Sequence, residues 1–182
     1  MSALNIEANK TSPDTYLELF DFDSTMLFDA NDNPGTVEHY TNTPVGDATS
    51  KIIWRGNIYY PLPLEISSID DRGDGSAPSK VSIGISNVNK FLLAAVLRYG
   101  DLLGMKVTRW RTFYKFTDLG DSPNSLMHYP VQQWVVTRKT AQSKSGVSFE
   151  MSSPLDRPGL NLPRKLILRD QGFPGVGRTR PR

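Results

Sequence analysis

The segment from residue 52 to residue 116 constrains the fold most, because its hydrophobic repeat changes from that of a strand to that of a helix. Residues 81–86 alternate strictly between apolar and polar side chains, so one face of this strand is apolar and the other faces water. Between about residues 88 and 99 the apolar residues recur at the spacing of one helix face, and Gly100 ends the pattern. The chain must therefore combine strands with one helix in the same fold.

Strand-type sequence continues on both sides of this helix. Residues 52–64 contain two β-rich runs around the turn at Arg55-Gly56-Asn57, which predicts a hairpin. Residues 105–116 have the composition of a long strand, and a break in their alternation between Val107 and Trp110 predicts a β-bulge. Both segments therefore add strands next to the helix.

Four further runs have the alternation or the composition of strands, at residues 16–22, 37–40, 129–137 and 146–151. Turn-rich residues join the last two runs, which predicts a second hairpin. The sequence thus predicts a mainly β fold with one helix, an antiparallel β-barrel or sandwich with long hairpins and extended termini.

The length of 182 residues suits one ordinary domain with extensions. Residues 1–13 are polar and aperiodic, and we interpret them as a flexible leader. Residues 14–154 form the β-rich domain. Residues 155–182 carry seven basic side chains against two acidic ones, although the whole chain has a net charge of only +2, so they form a basic C-terminal arm.

The composition excludes several classes of site. The sequence contains no Cys, which removes disulfides, thiolate metal sites, Cys nucleophiles and Cys-held iron–sulfur clusters from these residues. The two His, His39 and His128, leave little room for a His metal site, and we expect no cofactor. The sequence shows neither an apolar run of about 18 residues nor a signal peptide, so we expect a protein made in a cytoplasm and not bound to a membrane.

One motif points to an enzyme instead. Asp21, Asp23 and Thr25 follow an apolar strand in the Asp-x-Asp-x-Thr pattern of Mg-dependent phosphohydrolases of the haloacid-dehalogenase type. In that pattern the first Asp attacks phosphorus and the second acts as acid or base beside Mg²⁺. That fold alternates strands and helices, whereas this chain has one predicted helix, so a strand that ends in a polar turn is the favoured interpretation. The phosphohydrolase stays as an alternative.

A second alternative is a nucleic-acid-binding module. Arg109, Trp110 and Arg111 interleave cations with an aromatic ring on a strand, which could stack on single-stranded bases, and the basic arm could bind phosphates. The same pattern arises when the Trp packs in the core and the Arg side chains face solvent. We favour that simpler explanation, so nucleic acid is not an expected partner.

The strands and the helix carry specific sequence motifs that follow one another in a fixed order along the chain. A Trp-x-Gly-x-x-Tyr hairpin with Pro-rich residues behind it precedes a polar Gly/Ser loop, an alternating strand that ends in Ser-Asn, a helix and a Gly-x-x-Val-x-Arg strand. The positions that carry the series are Trp54, Gly56, Tyr59, Pro61, Pro63, Ser86, Asn87, Gly104, Val107 and Arg109. Over about residues 15–170 the sequence resembles the minor tail protein L family of lambda-like long-tailed phages.

The resemblance implies a structural protein of the phage virion, located at the tail tip and assembled in the cytoplasm of the bacterial host. Members of that family lie between the tube-like rings above and the central hub that carries the receptor-binding fibre. The expected partners are the distal tail or tube-end protein, the hub protein, further copies of the chain in a ring and, as an additional candidate, the tape-measure protein. Lambda-type members end in a Cys-rich domain with an iron–sulfur cluster, and this sequence departs from them because it has no Cys.

A ring subunit needs sheet edges and extended segments that become ordered on neighbouring subunits. We expect such contacts from the polar loop around residues 70–77 and from the basic arm. The candidate residues are Arg72, Asp74, Arg157, Arg164, Lys165, Arg169, Arg178, Arg180 and Arg182. We assign no catalytic residue.

Overall fold

A computed structural model describes residues 3–43, 51–67, 81–86, 91–143 and 145–155. In these segments the chain forms two α-helices, α1 (Ala3–Ala8) and α2 (Phe91–Arg98), and nine strands. The strands are β1 (Tyr16–Asp23), β2 (Val37–Thr41), β3 (Ile52–Trp54), β4 (Asn57–Pro61), β5 (Leu64–Ile66), β6 (Val81–Ser86), β7 (Lys106–Phe113), β8 (Gln132–Gln142) and β9 (Gly146–Ser152). The predicted mainly β fold is confirmed.

All nine strands belong to one sheet, in the order β3-β4-β2-β1-β7-β8-β9-β6-β5. Seven of the neighbouring pairs are antiparallel, and β2 and β4 form one parallel pair. The sheet is therefore mixed rather than purely antiparallel. Within the described segments no helix is long and apolar enough to span a membrane.

The sheet curls strongly between β4 and β5, which lie near opposite ends of the strand order. Only Leu62 and Pro63 separate these strands in the chain, and three Cα steps cover at most about 11 Å. The N–H of Leu62 donates to the carbonyl of Thr41 in β2 (2.8 Å), and the N–H of Ser86 in β6 donates to the carbonyl of Pro63 (3.0 Å). The two halves of the sheet thus meet at this connection. Whether the curled sheet is best classed as a barrel or a sandwich stays a prediction.

Strand β1 buries side chains on both of its faces, because successive residues of a strand point to opposite sides. Phe20 and Phe22 join a first core that contains side chains of β5 to β9 and Val96 of α2. Leu17 and Leu19 join a second core with the β3–β4 hairpin, α1 and the 3₁₀ turn Tyr114–Phe116. This strand holds the two cores together.

The predicted hairpins are confirmed. β3 and β4 pair through Trp54 and Asn57, and the turn residues Arg55 and Gly56 both have positive φ, at 56° and 76°. Such a turn matches the twist of an antiparallel pair and favours Gly. The pairing of β8 with β9 likewise encloses the predicted turn.

The predicted β-bulge between Val107 and Trp110 is wrong. β1 and β7 pair without interruption from Tyr16 opposite Phe113 to Asp23 opposite Lys106. The alternation breaks because Val107 faces the first core and Trp110 packs on the second, so both faces of the strand carry apolar residues. Register shifts occur instead between β8 and β9.

The prediction of one helix is also corrected, since α1 lies within the residues interpreted as a leader. Leu4 packs in the second core, and the buried Glu7 accepts hydrogen bonds from Lys10 Nζ (2.6 Å) and from the backbone N–H of Asp14 (3.3 Å). Six residues are too few to show a helical repeat, and contacts with the rest of the fold stabilise this helix. Helix α2 lies within the predicted range of residues 88–99.

Candidate contact surface and the Asp21 network

The contact residues predicted from sequence lie outside the described part of the chain. They are Arg72 and Asp74 in the polar loop and Arg157, Arg164, Lys165, Arg169, Arg178, Arg180 and Arg182 in the basic arm. The structure therefore gives no position for them.

Asp21 lies at the centre of a network of side chains from four strands. Its Oδ1 accepts hydrogen bonds from the Tyr59 hydroxyl (2.7 Å) and from His39 Nδ1 (2.7 Å), and its Oδ2 accepts one from Trp110 Nε1 (2.6 Å). Burial raises the pKa of the Tyr59 hydroxyl, and the charge of Asp21 raises it further. Both carboxylate oxygens are thus occupied by donors of the fold.

The second carboxylate of the phosphohydrolase motif has a local role. Asp23 Oδ1 accepts hydrogen bonds from the backbone N–H (3.0 Å) and the hydroxyl (2.6 Å) of Thr25, which is the geometry of a turn closed by a side chain. Asp21 lies in a strand with antiparallel neighbours on both sides. Among the described residues no group of three or more His, Cys, Asp or Glu is placed to hold a metal ion. The motif residues therefore adopt the strand-and-turn arrangement.

The cations and ring proposed for nucleic-acid stacking also have partners within the fold. The guanidinium of Arg109 pairs with Glu18 and donates to Gln132 Oε1 (3.2 Å). Arg55 lies over the ring of Trp110, 4.4 Å from its centroid, and His128 meets the same ring edge to face at 5.0 Å. This ring is therefore covered by the protein itself.

A cavity of about 240 Å³ lies between β1, β2 and α2. The buried side chains Phe22, Leu102 and Met105 give it an apolar lining, and Tyr40 completes one wall. Its polar residues are Ser24, Thr36, Glu38 and Arg98. We call this space the α2 cavity.

The two charged residues of the α2 cavity differ in their pairing. The guanidinium of Arg98 binds the carboxylate of Asp29 (2.9 Å), whereas the carboxylate of Glu38 accepts a hydrogen bond from the Thr36 hydroxyl (2.9 Å). No cation among the described residues pairs with Glu38. The cavity thus presents one uncompensated negative charge.

Two groups beside the cavity have shifted pKa values. The backbone N–H of Asn33 and the guanidinium of Arg98 hold the pKa of Asp29 at about 2. Burial raises the pKa of the Tyr40 hydroxyl to about 12, and the charge of Glu38 adds to this effect. The lowered pKa of Asp29 therefore reflects first its hydrogen bond within the loop after β1 and then its contact with Arg98 of α2.

Four apolar side chains are exposed next to this contact: Met26 (84%), Phe28 (58%), Leu97 (72%) and Leu103 (47%). Phe28 directly precedes Asp29 in the chain, and Leu97 directly precedes Arg98, the partner of Asp29. Met26 directly precedes Leu27 and Leu103 directly precedes Gly104, and the Leu27 side chain approaches Gly104. We call these four side chains the end patch. Exposed apolar side chains on neighbouring segments are typical of surfaces that bind other proteins.

Sequence reasoning missed both the Asp21 network and the end patch. The partners of Asp21 lie 18, 38 and 89 positions away along the chain, so only the strand pairing brings them together. The Asp-x-Asp-x-Thr motif singled out Asp21, but it gave no sign of the three donors that the carboxylate meets in the fold. The end patch had no sequence signal, because its four apolar residues lie in different segments, with Leu97 in α2, and do not form a repeat.

The chain matches a known protein family over most of its length. The family model described as phage minor tail protein L matches residues 37–173, about three quarters of the chain. The matched range begins at β2 and includes α2, the β8–β9 hairpin, Glu38 and two residues of the end patch. It leaves out α1 and β1.

Proposed function

Because the chain belongs to the phage minor tail protein L family, we propose that it forms a ring at the distal end of a phage tail. Family membership makes it a structural component of a phage tail. In the proposed ring the chain joins the distal tail or tube-end protein on one side to the central hub and its receptor-binding apparatus on the other. The tape-measure protein is a further candidate partner.

The family match is the observation that carries this proposal, and the surface supports it. The end patch presents four exposed apolar side chains on segments that the Asp29–Arg98 pair and the approach of Leu27 to Gly104 bring together, which suits burial against another subunit. On the β3–β4 hairpin, Ile58 and Tyr60 are also exposed. Head-to-tail rings need two different contact surfaces on each subunit, and these two apolar groups are candidates.

The loop and arm residues named from sequence remain part of the proposal. Long basic side chains beside apolar residues are suited to the rim of a protein interface. We therefore propose that Arg72, Asp74 and the basic residues between 155 and 182 contact neighbouring tail proteins.

Cross-linking mass spectrometry on purified tail particles tests this function. A lysine-reactive reagent should join Lys10, Lys51, Lys139 or Lys165 to further copies of the chain and to two different tail proteins. Absence of the chain from the particles, or its recovery as a monomer without links to tail proteins, would overturn the proposal.

A pair of matched variants tests the end patch itself. Leu97 and Leu126 are exposed to a similar extent, 72% and 75%, but Leu126 lies outside the patch. Leu97→Asp should sharply reduce the number of infectious particles in a complementation assay, because it places a charge within the proposed contact. Leu126→Asp should leave the number near wild type. Equal effects of both variants would remove the end patch from the interface.

A further inference from the structure

The size and lining of the α2 cavity suit an amino-acid side chain. Its volume of about 240 Å³ lies below the range of roughly 300–1,000 Å³ that is usual for small-molecule pockets. Its lining is mostly apolar, with Phe22, Tyr40, Leu102 and Met105 around it. An aliphatic side chain placed there would be removed from water on most of its surface.

The charge at the cavity adds a second requirement. Glu38 is partly buried and has no cationic partner in the part of the chain that the structure describes, whereas Arg98 is paired with Asp29. A cation close to the inserted side chain would compensate the Glu38 carboxylate, and hydrogen bonds between charged groups are the stronger ones. The fitting ligand is therefore an aliphatic residue next to Lys or Arg.

The chain itself contains such a segment. Residues 162–169, Leu-Pro-Arg-Lys-Leu-Ile-Leu-Arg, place three consecutive aliphatic side chains between cations. We propose that the α2 cavity binds residues 162–169 of the same chain, with one of their aliphatic side chains in the cavity and Arg164, Lys165 or Arg169 paired with Glu38.

The strand register shows that this segment can reach the cavity. Ser152, at the end of β9, lies opposite Val135 of β8. Residues paired in the same way on the next strands are Lys106, Asp23 and Val37, so these five residues form one row across the sheet. Four strand spacings of about 4.8 Å give roughly 19 Å between the ends of this row. Ser24, Thr36 and Glu38 of the cavity lie beside Asp23 and Val37 in the chain.

The length of chain after the described residues is sufficient. The described part ends at Leu155, and the ten residues to Lys165 span up to about 33 Å when extended. Strand β9 ends with Ser152 at the end of the sheet where the cavity residues lie. Binding within one chain is therefore geometrically accessible, and the short tether raises the effective concentration of the segment.

The absence of native Cys makes disulfide trapping a clean test. Ala94 lines the cavity and is exposed, so Ala94→Cys should not disturb the core. It would be combined in the full chain with Leu166→Cys, Ile167→Cys or Leu168→Cys in turn. The matched control replaces Ala94→Cys with Leu126→Cys, which is exposed but does not line the cavity.

The result expected is an intramolecular disulfide with Ala94→Cys for at least one of the three positions. The effective concentration of its two thiols, measured in glutathione buffers, should exceed that of the control pair by about tenfold or more. Glu38→Gln in the same background should lower this value by about tenfold, through loss of the charged hydrogen bond. A bond formed only between chains, or equal values for both pairs, would overturn the proposal. An unchanged value in Glu38→Gln would overturn the ion pair with Glu38.

Discussion

Asp21 holds four strands together through one carboxylate. The donors that reach it come from β2, β4 and β7, while Asp21 itself lies in β1. Of the three partners, Tyr59 is the most deeply buried, at 1% exposure, and burying a hydroxyl is favourable only when it has a hydrogen-bond partner. The carboxylate of Asp21 thus has a structural role. The motif formed by Asp21 and Asp23 had indicated a nucleophile at this position as the alternative.

Replacing this carboxylate should destabilise the fold. In Asp21→Asn the amide group offers one acceptor oxygen and an NH₂ donor to three donors, so at least one buried donor loses its partner. We expect a loss of about 1–3 kcal/mol in the free energy of unfolding, measured by chemical denaturation at neutral pH. Asp23→Asn is the control, because Asp23 binds only Thr25 in its turn and should cost less. Equal losses in the two variants would contradict the role of Asp21.

Tyr40 should make stability depend on alkaline pH. Its folded pKa of about 12 lies above the ordinary value of 10, so the neutral hydroxyl is favoured in the folded state. This contribution is fully present below about pH 10 and is lost as the pH rises towards about 12. Denaturation midpoints of Tyr40→Phe should therefore fall less than those of wild type across this range.

The matched control for this measurement is Tyr60→Phe. Tyr60 pairs directly with Tyr40 across β2 and β4 but is 46% exposed. The wild-type pH dependence should be retained in Tyr60→Phe. A Tyr40→Phe curve that runs parallel to wild type up to pH 12 would show that this hydroxyl does not control alkaline stability.

At the scale of elements, the loop between β1 and β2 depends on close packing at Gly35. A Cβ at this position would lie 2.3 Å from Ser24 Oγ and 2.4 Å from the Ser24 carbonyl oxygen, far inside van der Waals contact. Ser24 is buried and its hydroxyl donates to the carbonyl of Thr36 (2.7 Å), so it cannot move away without losing that bond. The loop therefore requires Gly at position 35.

Gly35→Ala should destabilise the protein by about 1–3 kcal/mol, the usual effect of forcing extra atoms into a packed site. Gly84→Ala in β6 is the matched substitution, because the nearest atom to its new Cβ lies 3.9 Å away. Its effect should stay within about 0.5 kcal/mol. Thermal unfolding of both variants compares them directly, and a Gly84→Ala loss as large as that of Gly35→Ala would contradict this packing argument.

Most elements could be predicted from sequence because each shows its own repeat. Strands β1, β2, β6 and β9, the two hairpins and α2 all follow local alternation or a helical stripe. Helix α1 is too short for such a signal, and β7 misled the prediction because apolar side chains on its two faces enter different cores. The failures occur where contacts with distant parts of the chain decide the structure.

At the scale of the whole molecule, the order of strands could not be read from the sequence. β4 and β5 are almost adjacent in the chain but pair with different halves of the sheet, and β4 pairs with β2 in parallel. Their positions depend on hydrogen bonds of Leu62 and Pro63 with strands β2 and β6. The same curling brings β1, β2 and α2 together around the α2 cavity. Residues far apart in sequence therefore form the cavity proposed to bind residues 162–169.

The ring proposal assigns the end patch to contacts between subunits or with neighbouring tail proteins. Cryo-electron microscopy of intact tails, with symmetry determined at the distal end, tests it most directly. We expect density for several copies of the curled nine-stranded sheet around the tail axis, between the tube and the hub, with the end patch buried. A tail tip without this sheet, or with the chain as an isolated copy whose end patch faces solvent, would contradict the account.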